Sequence, residues 1–135
     1  HCQKTPRRGK PLSKDPEVRD RLMDIYIEGE IGRLFQLRNY WMRHSKIPMT
    51  YEGPQASYFR KTSGLGVATA ILDILGPAAL TKDSEWGAGE GFFESQQRAA
   101  IIALHPGGTT DIQKVIMARR IGIGRQVRER QATLA

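Results

Sequence analysis

Apolar residues recur at helical spacing in four stretches of this chain, and no stretch carries the two-residue alternation of a convincing strand. Asp15 and Pro16 open the first stretch. Aspartate is a good N-cap, and proline suits the first helical position because its missing N–H would be unpaired there anyway. Val18, Leu22, Ile25 and Tyr26 begin an apolar face, and Ile27, Ile31, Leu34, Arg38 and Trp41 continue a broad stripe, so the pattern predicts a helix to about Arg43. Gly29 and Gly32 interrupt it, each at a cost of about 1 kcal/mol relative to alanine. Close approach of a neighbouring helix, or a slight bend, is the expected offset. The charged residues Arg19, Asp20, Asp24 and Glu28 read as a solvated face.

Pro48 and Gly53-Pro54 mark a break before a second helix, predicted over Gln55 to Leu75. Phe59, Val67, Ala70, Ile71 and Ile74 should face inward, while Ser63, Gly64 and Gly66 keep one side thin. Gly76-Pro77 stops it. Thr81 to Gly91 is rich in glycine and small polar residues and reads as a mobile loop, with Trp86 as its anchor. A third helix is expected from Phe92 to Leu104, with Phe93, Gln97, Ala100 and Leu104 on one face. The last helix should start at Thr110 and carry Ile112, Val115, Ile116 and Ile123, with Gly122 and Gly124 weakening its end. Here Thr110 and Gln113 have the spacing of a capping box.

The expected fold is all-α: an antiparallel bundle of four helices over residues 15–135, preceded by an extended basic leader at 1–14. A length of 135 residues suits one domain. No uninterrupted apolar run of about 18 residues occurs, so no membrane span is expected. The single Cys2 excludes an internal disulfide framework and fits a reducing, cytoplasmic setting. The net charge of +7 and pI near 9.9 concentrate at the two ends. Phosphate-bearing cofactors, an acidic protein partner or nucleic acid would each suit such charge. No nucleic-acid motif accompanies it and aromatics do not interleave with it, so nucleic acid is not expected. His44 and His105 lack partners at metal-ligand spacing, so no metal is expected either.

The richest stretch chemically is His105-Pro106-Gly107-Gly108-Thr109-Thr110-Asp111-Ile112-Gln113-Lys114. A glycine pair runs into a helix start, where exposed amides and the positive end of the helix dipole make a seat for an anion. Gly-Gly-Thr-Thr-Asp-Ile-Gln-Lys resembles the signature that opens the last helix of flavin-dependent acyl-CoA dehydrogenases. Three further blocks are similar to that family's C-terminal domain and come in the family's order: Gly9-Lys10-Pro11-Leu12 with Asp15 to Leu22, Gly53-Pro54-Gln55-Ala56-Ser57 with Lys61, and Leu75-Gly76-Pro77. The family's N-terminal helical domain, its middle β-domain and the first C-terminal helix have no counterpart in the chain. The resemblance therefore implies a piece of a larger enzyme, or the product of a truncated reading frame, with the first helix expected before His1. An apolar face around Ile27, Ile31 and Leu34, or along the Phe59 helix, should then be left uncovered.

The resemblance implies α,β-dehydrogenation of an acyl-CoA thioester with FAD as cofactor, an electron-transfer flavoprotein as electron acceptor, and a homo- or hetero-oligomer. Gly108, Thr109 and Asp111 fall at family places that meet the flavin. Gly76 is the surviving residue of a Gln-x-x-Gly-Gly element that reaches the flavin of a neighbouring subunit; here the stretch reads Asp73-Ile74-Leu75-Gly76-Pro77. A family arginine and phenylalanine near the start are replaced by Thr5 and Arg8. In many members the catalytic glutamate directly precedes the Gly-Thr pair. That place holds Gly107, which cannot accept a proton. Others carry the base on the first helix, and some bacterial branches build mixed assemblies in which one subunit type alone holds it. No catalytic residue is therefore assigned, and the chain alone should not turn over substrate. The alternative is a non-catalytic helical module that pairs with a homologous dehydrogenase subunit.

Overall fold

The computed structural model describes residues 2–7, 9–81 and 87–123. Trp86 and Glu85, Gly124 and the basic residues from Arg125 onward lie outside them. The described chain forms four helices: α1 (Pro16–His44), α2 (Glu52–Leu75), α3 (Phe92–Ile102) and α4 (Thr110–Arg120). Within the basic opening segment, Pro6–Arg7 and Lys10–Pro11 pair as a two-residue antiparallel ladder, and a 3-10 turn at Leu12–Lys14 leads into α1.

Helix α2 is the axis of the bundle, and α1, α3 and α4 all pack on it. Arg38 Nη2 donates to Gln55 Oε1 at 2.8 Å, while Arg21 Nη1 meets Asp73 Oδ2 at 3.0 Å, so α1 and α2 run antiparallel. α3 also opposes α2: Lys61 reaches Ala103 at one end, and Ile71 shares a groove with Phe92 at the other. The stretch Glu52–Ala79 is long and apolar enough by composition to cross a bilayer, with a mean hydropathy of 1.3 in its most apolar window. Three helices pack on it, and 17% of that window is buried.

Local chemistry sets the boundaries. Asp15 caps α1 by accepting the N–H of Glu17 at 3.0 Å. α2 begins at Glu52, three residues before the expected Gln55. Pro54 is tolerated because first-turn N–H groups have no intrahelical partner to lose. The Glu52 carboxylate accepts the N–H of Thr50 at 2.7 Å and its hydroxyl at 3.2 Å, and the backbone hydrogen bond from Thr50 leads in holding its pKa below the ordinary value. α3 ends at Ile102 instead of Leu104, since Leu104 and His105 donate three residues back, to Ile101 and Ile102, and tighten the last turn. Phe93, Gln97, Ala100 and Leu104 share the half-buried side, as the pattern implied.

The inward line of α1 differs from the expected one. Val18, Arg21, Ile25, Glu28, Gly32, Phe35, Asn39 and Met42 are buried or half-buried, at alternating steps of three and four. Leu34 and Trp41, placed in the expected stripe, are 57% and 58% exposed, and Ile27 and Ile31 are also exposed. Apolar residues occupy both faces, so periodicity alone did not choose between them. Gly32 lets the Phe59 ring approach to 3.7 Å from where a Cβ would sit, whereas Gly29 faces open space. Phe59 packs edge-on against Phe35, with ring centroids 5.1 Å apart.

The fully buried apolar centre is small. Leu12 from the opening segment, Val18 from α1 and Ile74 from α2 meet, with Cys2 and Ile25 against them. Arg21 spans this seam on the outside, bonded to both Glu17 and Asp73, a contact too exposed to stabilise much. Truncating Ile74 to alanine should therefore cost about 2–5 kcal/mol, read as a lowered midpoint of urea unfolding followed by circular dichroism.

Candidate functional site

A single buried ammonium organises the chemically richest stretch. Lys61, in the middle of α2, is 3% exposed. Its Nζ donates to the carbonyls of Ala103 at 2.8 Å, Leu104 at 3.3 Å and Pro106 at 2.7 Å. Three acceptors match the three donors of an ammonium, which is how a buried lysine avoids the cost of an unsatisfied charge. The acceptors are the C-cap Ala103 and the residues just after it, beside the negative end of the α3 dipole. Lys61 thus serves as the cap of α3 from a neighbouring helix.

The turn that follows is tethered a second time. Gln113 is 5% exposed, and its Nε2 donates to the Gly107 carbonyl at 2.8 Å. The expected capping box is corrected here. Thr109, not Thr110, is the N-cap of α4: its backbone is extended, and its Oγ1 accepts the N–H of Ile112 at 3.3 Å. Gln113 turns inward to the loop and does not reach the cap. Gly107 and Gly108 have φ of +70° and +89°. At Gly108 a Cβ would also stand 3.1 Å from Gln113 Nε2 and 3.2 Å from Ile112 Cγ2, so this residue is bare for packing as well as for conformation. At Gly107 nothing lies within 4 Å of a Cβ, and that side of the turn opens outward.

Gly108, Thr109 and Asp111 therefore lie together on one turn and the start of one helix. The Asp111 side chain pairs with Lys114 at 3.3 Å and is 84% exposed, a surface carboxylate at the positive end of the α4 dipole. Lys114 in turn sits 5.5 Å from the centre of the Tyr58 ring. Gly76 is elsewhere. It ends α2, 15 residues beyond Lys61 and so about 22 Å along the helix at 1.5 Å per residue. Within one chain the four residues do not form one site.

Two grooves flank α2. One, of about 470 Å³, runs between α1 and α2 over Ser63, Gly66 and Ala70, and Glu28 lines it with a buried Oε2 that has no hydrogen-bond partner. The other, of about 390 Å³, runs between α2 and α3 over Gly64 and Ala68. Ser63, Gly64 and Gly66, expected to keep one side of α2 thin, are divided between the two grooves, Ser63 and Gly66 in the first and Gly64 in the second. Among the described residues, no three His, Cys, Asp or Glu side chains are grouped to hold a metal ion.

A sequence profile for the acyl-CoA dehydrogenase C-terminal domain matches residues 1–122. The chain belongs to that family. It is 25% identical over 113 residues to a probable acyl-CoA dehydrogenase, YngJ of Bacillus subtilis (strain 168), covering 84% of this chain and 28% of that protein. Its fold is similar to that of a chain in the ChsE4-ChsE5 complex from Mycobacterium tuberculosis, with a TM-score of 0.79 and 23% identity over 90% of this chain and 31% of the other. The chain thus spans less than a third of either relative. The domain is all-α, as expected, with four helices among the described residues.

Sequence reasoning noticed Lys61 only as one letter of a motif and assigned Gln113 to the wrong partner. A lysine within one or two turns of Phe59, Leu65 and Val67, in a helix whose other charges are Glu52, Arg60 and Asp73, was the signal available. Two substitutions test the turn. Thr109→Ala should cost about 1 kcal/mol through the lost cap. Gly108→Ala should cost about 1–2 kcal/mol from its left-handed backbone alone, and more from the crowding against Gln113. Thermal unfolding of each variant gives both values; unchanged midpoints would contradict the geometry.

Proposed function

We propose that this acyl-CoA dehydrogenase domain supplies one wall of an FAD site in an oligomeric enzyme that dehydrogenates an acyl-CoA thioester. The observation that carries this reading is the doubly tethered turn Pro106–Thr109 at the head of α4. The Thr110 and Asp111 N–H groups have no acceptor among the described residues. Family membership and this open head of a helix dipole together favour a phosphate or other oxygen-rich group of a cofactor. The bare, outward side of Gly107 leaves room for its approach. Thr109 and the first-turn amides of α4, with Gly108 beside them, would hold the cofactor. FAD, when bound, supplies a two-electron acceptor.

The base must come from another part of the assembly. Gly107 presents no side chain where many members carry glutamate, so this domain contributes binding and orientation, not proton abstraction. An electron-transfer flavoprotein is the proposed electron acceptor and the cytoplasm the proposed compartment. Gly76, remote from the turn in its own chain, suits a contact to the cofactor of a neighbouring subunit. The outer face of α1, with Ile27, Leu34, Leu37 and Trp41 exposed, is the proposed assembly surface. That face also supports the second reading, a non-catalytic module that pairs with a homologous subunit.

Size-exclusion chromatography of the chain with a full-length homologous dehydrogenase subunit and FAD tests the proposal. A co-eluting yellow complex is expected, and Leu34→Lys together with Trp41→Lys should abolish co-elution while helicity is kept. Co-elution with no flavin beyond what the partner holds alone would favour the non-catalytic module. A chain that sediments as a stable monomer and ignores both partner and FAD would overturn both readings.

A further inference from the structure

We propose that the outer face of α1 docks a second copy of this chain, the two α1 helices packing antiparallel about a two-fold axis at the level of Gly32. This rests on the proposed assembly role of that face and names what covers it.

The seam is written in the spacing. Ile27, Leu34 and Trp41 are seven residues apart, and so are Met23, Glu30, Leu37 and His44. The two sets interleave in steps of three and four, which is the a and d pattern of a coiled-coil seam. On the opposite side of the helix run Val18, Ile25, Gly32 and Asn39, also seven apart, and each is buried or half-buried. α1 thus carries two parallel lines. The inner one is taken by the bundle. The apolar members of the outer one, Met23, Ile27, Leu34, Leu37 and Trp41, are all exposed. From Met23 to His44 that line is about 32 Å long at 1.5 Å per residue. A continuous apolar line of that length marks an interaction surface.

Charge selects the occupant and its direction. The first half of α1 holds Glu17, Asp20, Asp24, Glu28 and Glu30 against Arg19 and Arg21. The second half holds Arg33, Arg38 and Arg43, and no acidic residue. A parallel pair of such helices would set like charge against like. An antiparallel pair lays each acidic half along a basic half, and the helix dipoles favour the same direction. One helix is therefore complementary to a reversed copy of itself, which is what a two-fold interface requires. With the axis at Gly32, Met23 faces Trp41 of the second copy, Ile27 faces Leu37, and Glu30 comes opposite Arg33. Within its own chain Glu30 Oε2 already holds Arg33 Nη2 at 2.7 Å. The two pairs would close into an alternating ring of four charges around the axis. A polar step in an otherwise apolar seam is a way to fix register.

The test is analytical sedimentation of the full chain without FAD, followed by oxidative cross-linking. A concentration-dependent dimer is expected. Leu34→Lys together with Trp41→Lys should weaken it about a hundredfold or more, with helicity unchanged. If that variant does not fold, Arg33→Glu carries the prediction: like charges around the axis should weaken the dimer about tenfold or more, and adding Glu30→Arg in the same chain should restore it. In a Cys2→Ser background, Ile27→Cys chains mixed with Leu37→Cys chains should form the mixed disulfide in preference to either self-linked pair. Preferential linkage of Ile27→Cys to itself, the parallel arrangement, overturns the inference. So does a chain that stays monomeric at every concentration. If that monomer still pairs through α1 with the homologous subunit, self-pairing falls and the proposed assembly stands. If the dimer forms but the assembly gains no FAD, the flavin reading falls and this inference stands.

Discussion

The contact between the Lys61 ammonium and the carbonyls of Ala103, Leu104 and Pro106 is the constraint on which the rest of the site depends. It does three things at once. It satisfies a charge that burial would otherwise penalise by several kcal/mol. It neutralises the negative end of the α3 dipole. It also fixes the point where the chain leaves α3, and so fixes the glycine turn and the direction of α4. Remove the charge and three polar groups are orphaned together, which is why the effect should exceed that of any surface pair in this molecule.

The bundle around this contact is lopsided. α2 is packed by three helices, yet α1 buries a line that includes Arg21, Glu28, Gly32 and Asn39, and turns Leu34, Leu37, Tyr40 and Trp41 outward. Glu28 Oε2 and Asn39 Oδ1 are buried without partners. A chain that hides unpaired polar atoms while exposing large apolar ones is not at its most favourable burial by itself. The grooves along the small residues of α2 agree with this. A domain spanning under a third of its relatives has surfaces that make physical sense as contacts with further protein.

Much of the fold was readable because the local signals are strong. Asp15-Pro16 marked the start of α1, Gly76-Pro77 the end of α2, and Thr110 the first residue of α4. The inward face of α1 was not readable, since apolar residues cover both sides of that helix and the packed one is partly polar. The site was legible as a turn but not as a mechanism of holding it. Sequence spacing suggested a reciprocal cap between Thr110 and Gln113; the extended backbone of Thr109 made it the cap instead and freed Gln113 for Gly107. Lys61 was invisible as a tether because its acceptors lie more than 40 residues away, and only packing brings them together. The missing carboxylate at Gly107 was plain from the outset, and the open space around that residue is consistent with a role in access.

On the proposed reading, this tethered turn receives a flavin cofactor in the assembled protein. Amide chemical-shift mapping of the isotope-labelled chain, assembled with its partner and titrated with FAD, tests it most directly. The largest shifts are expected on Gly107, Gly108, Thr110 and Asp111, with α1 little changed. Shifts confined to other surfaces, or none at these four amides at saturating FAD, would contradict it.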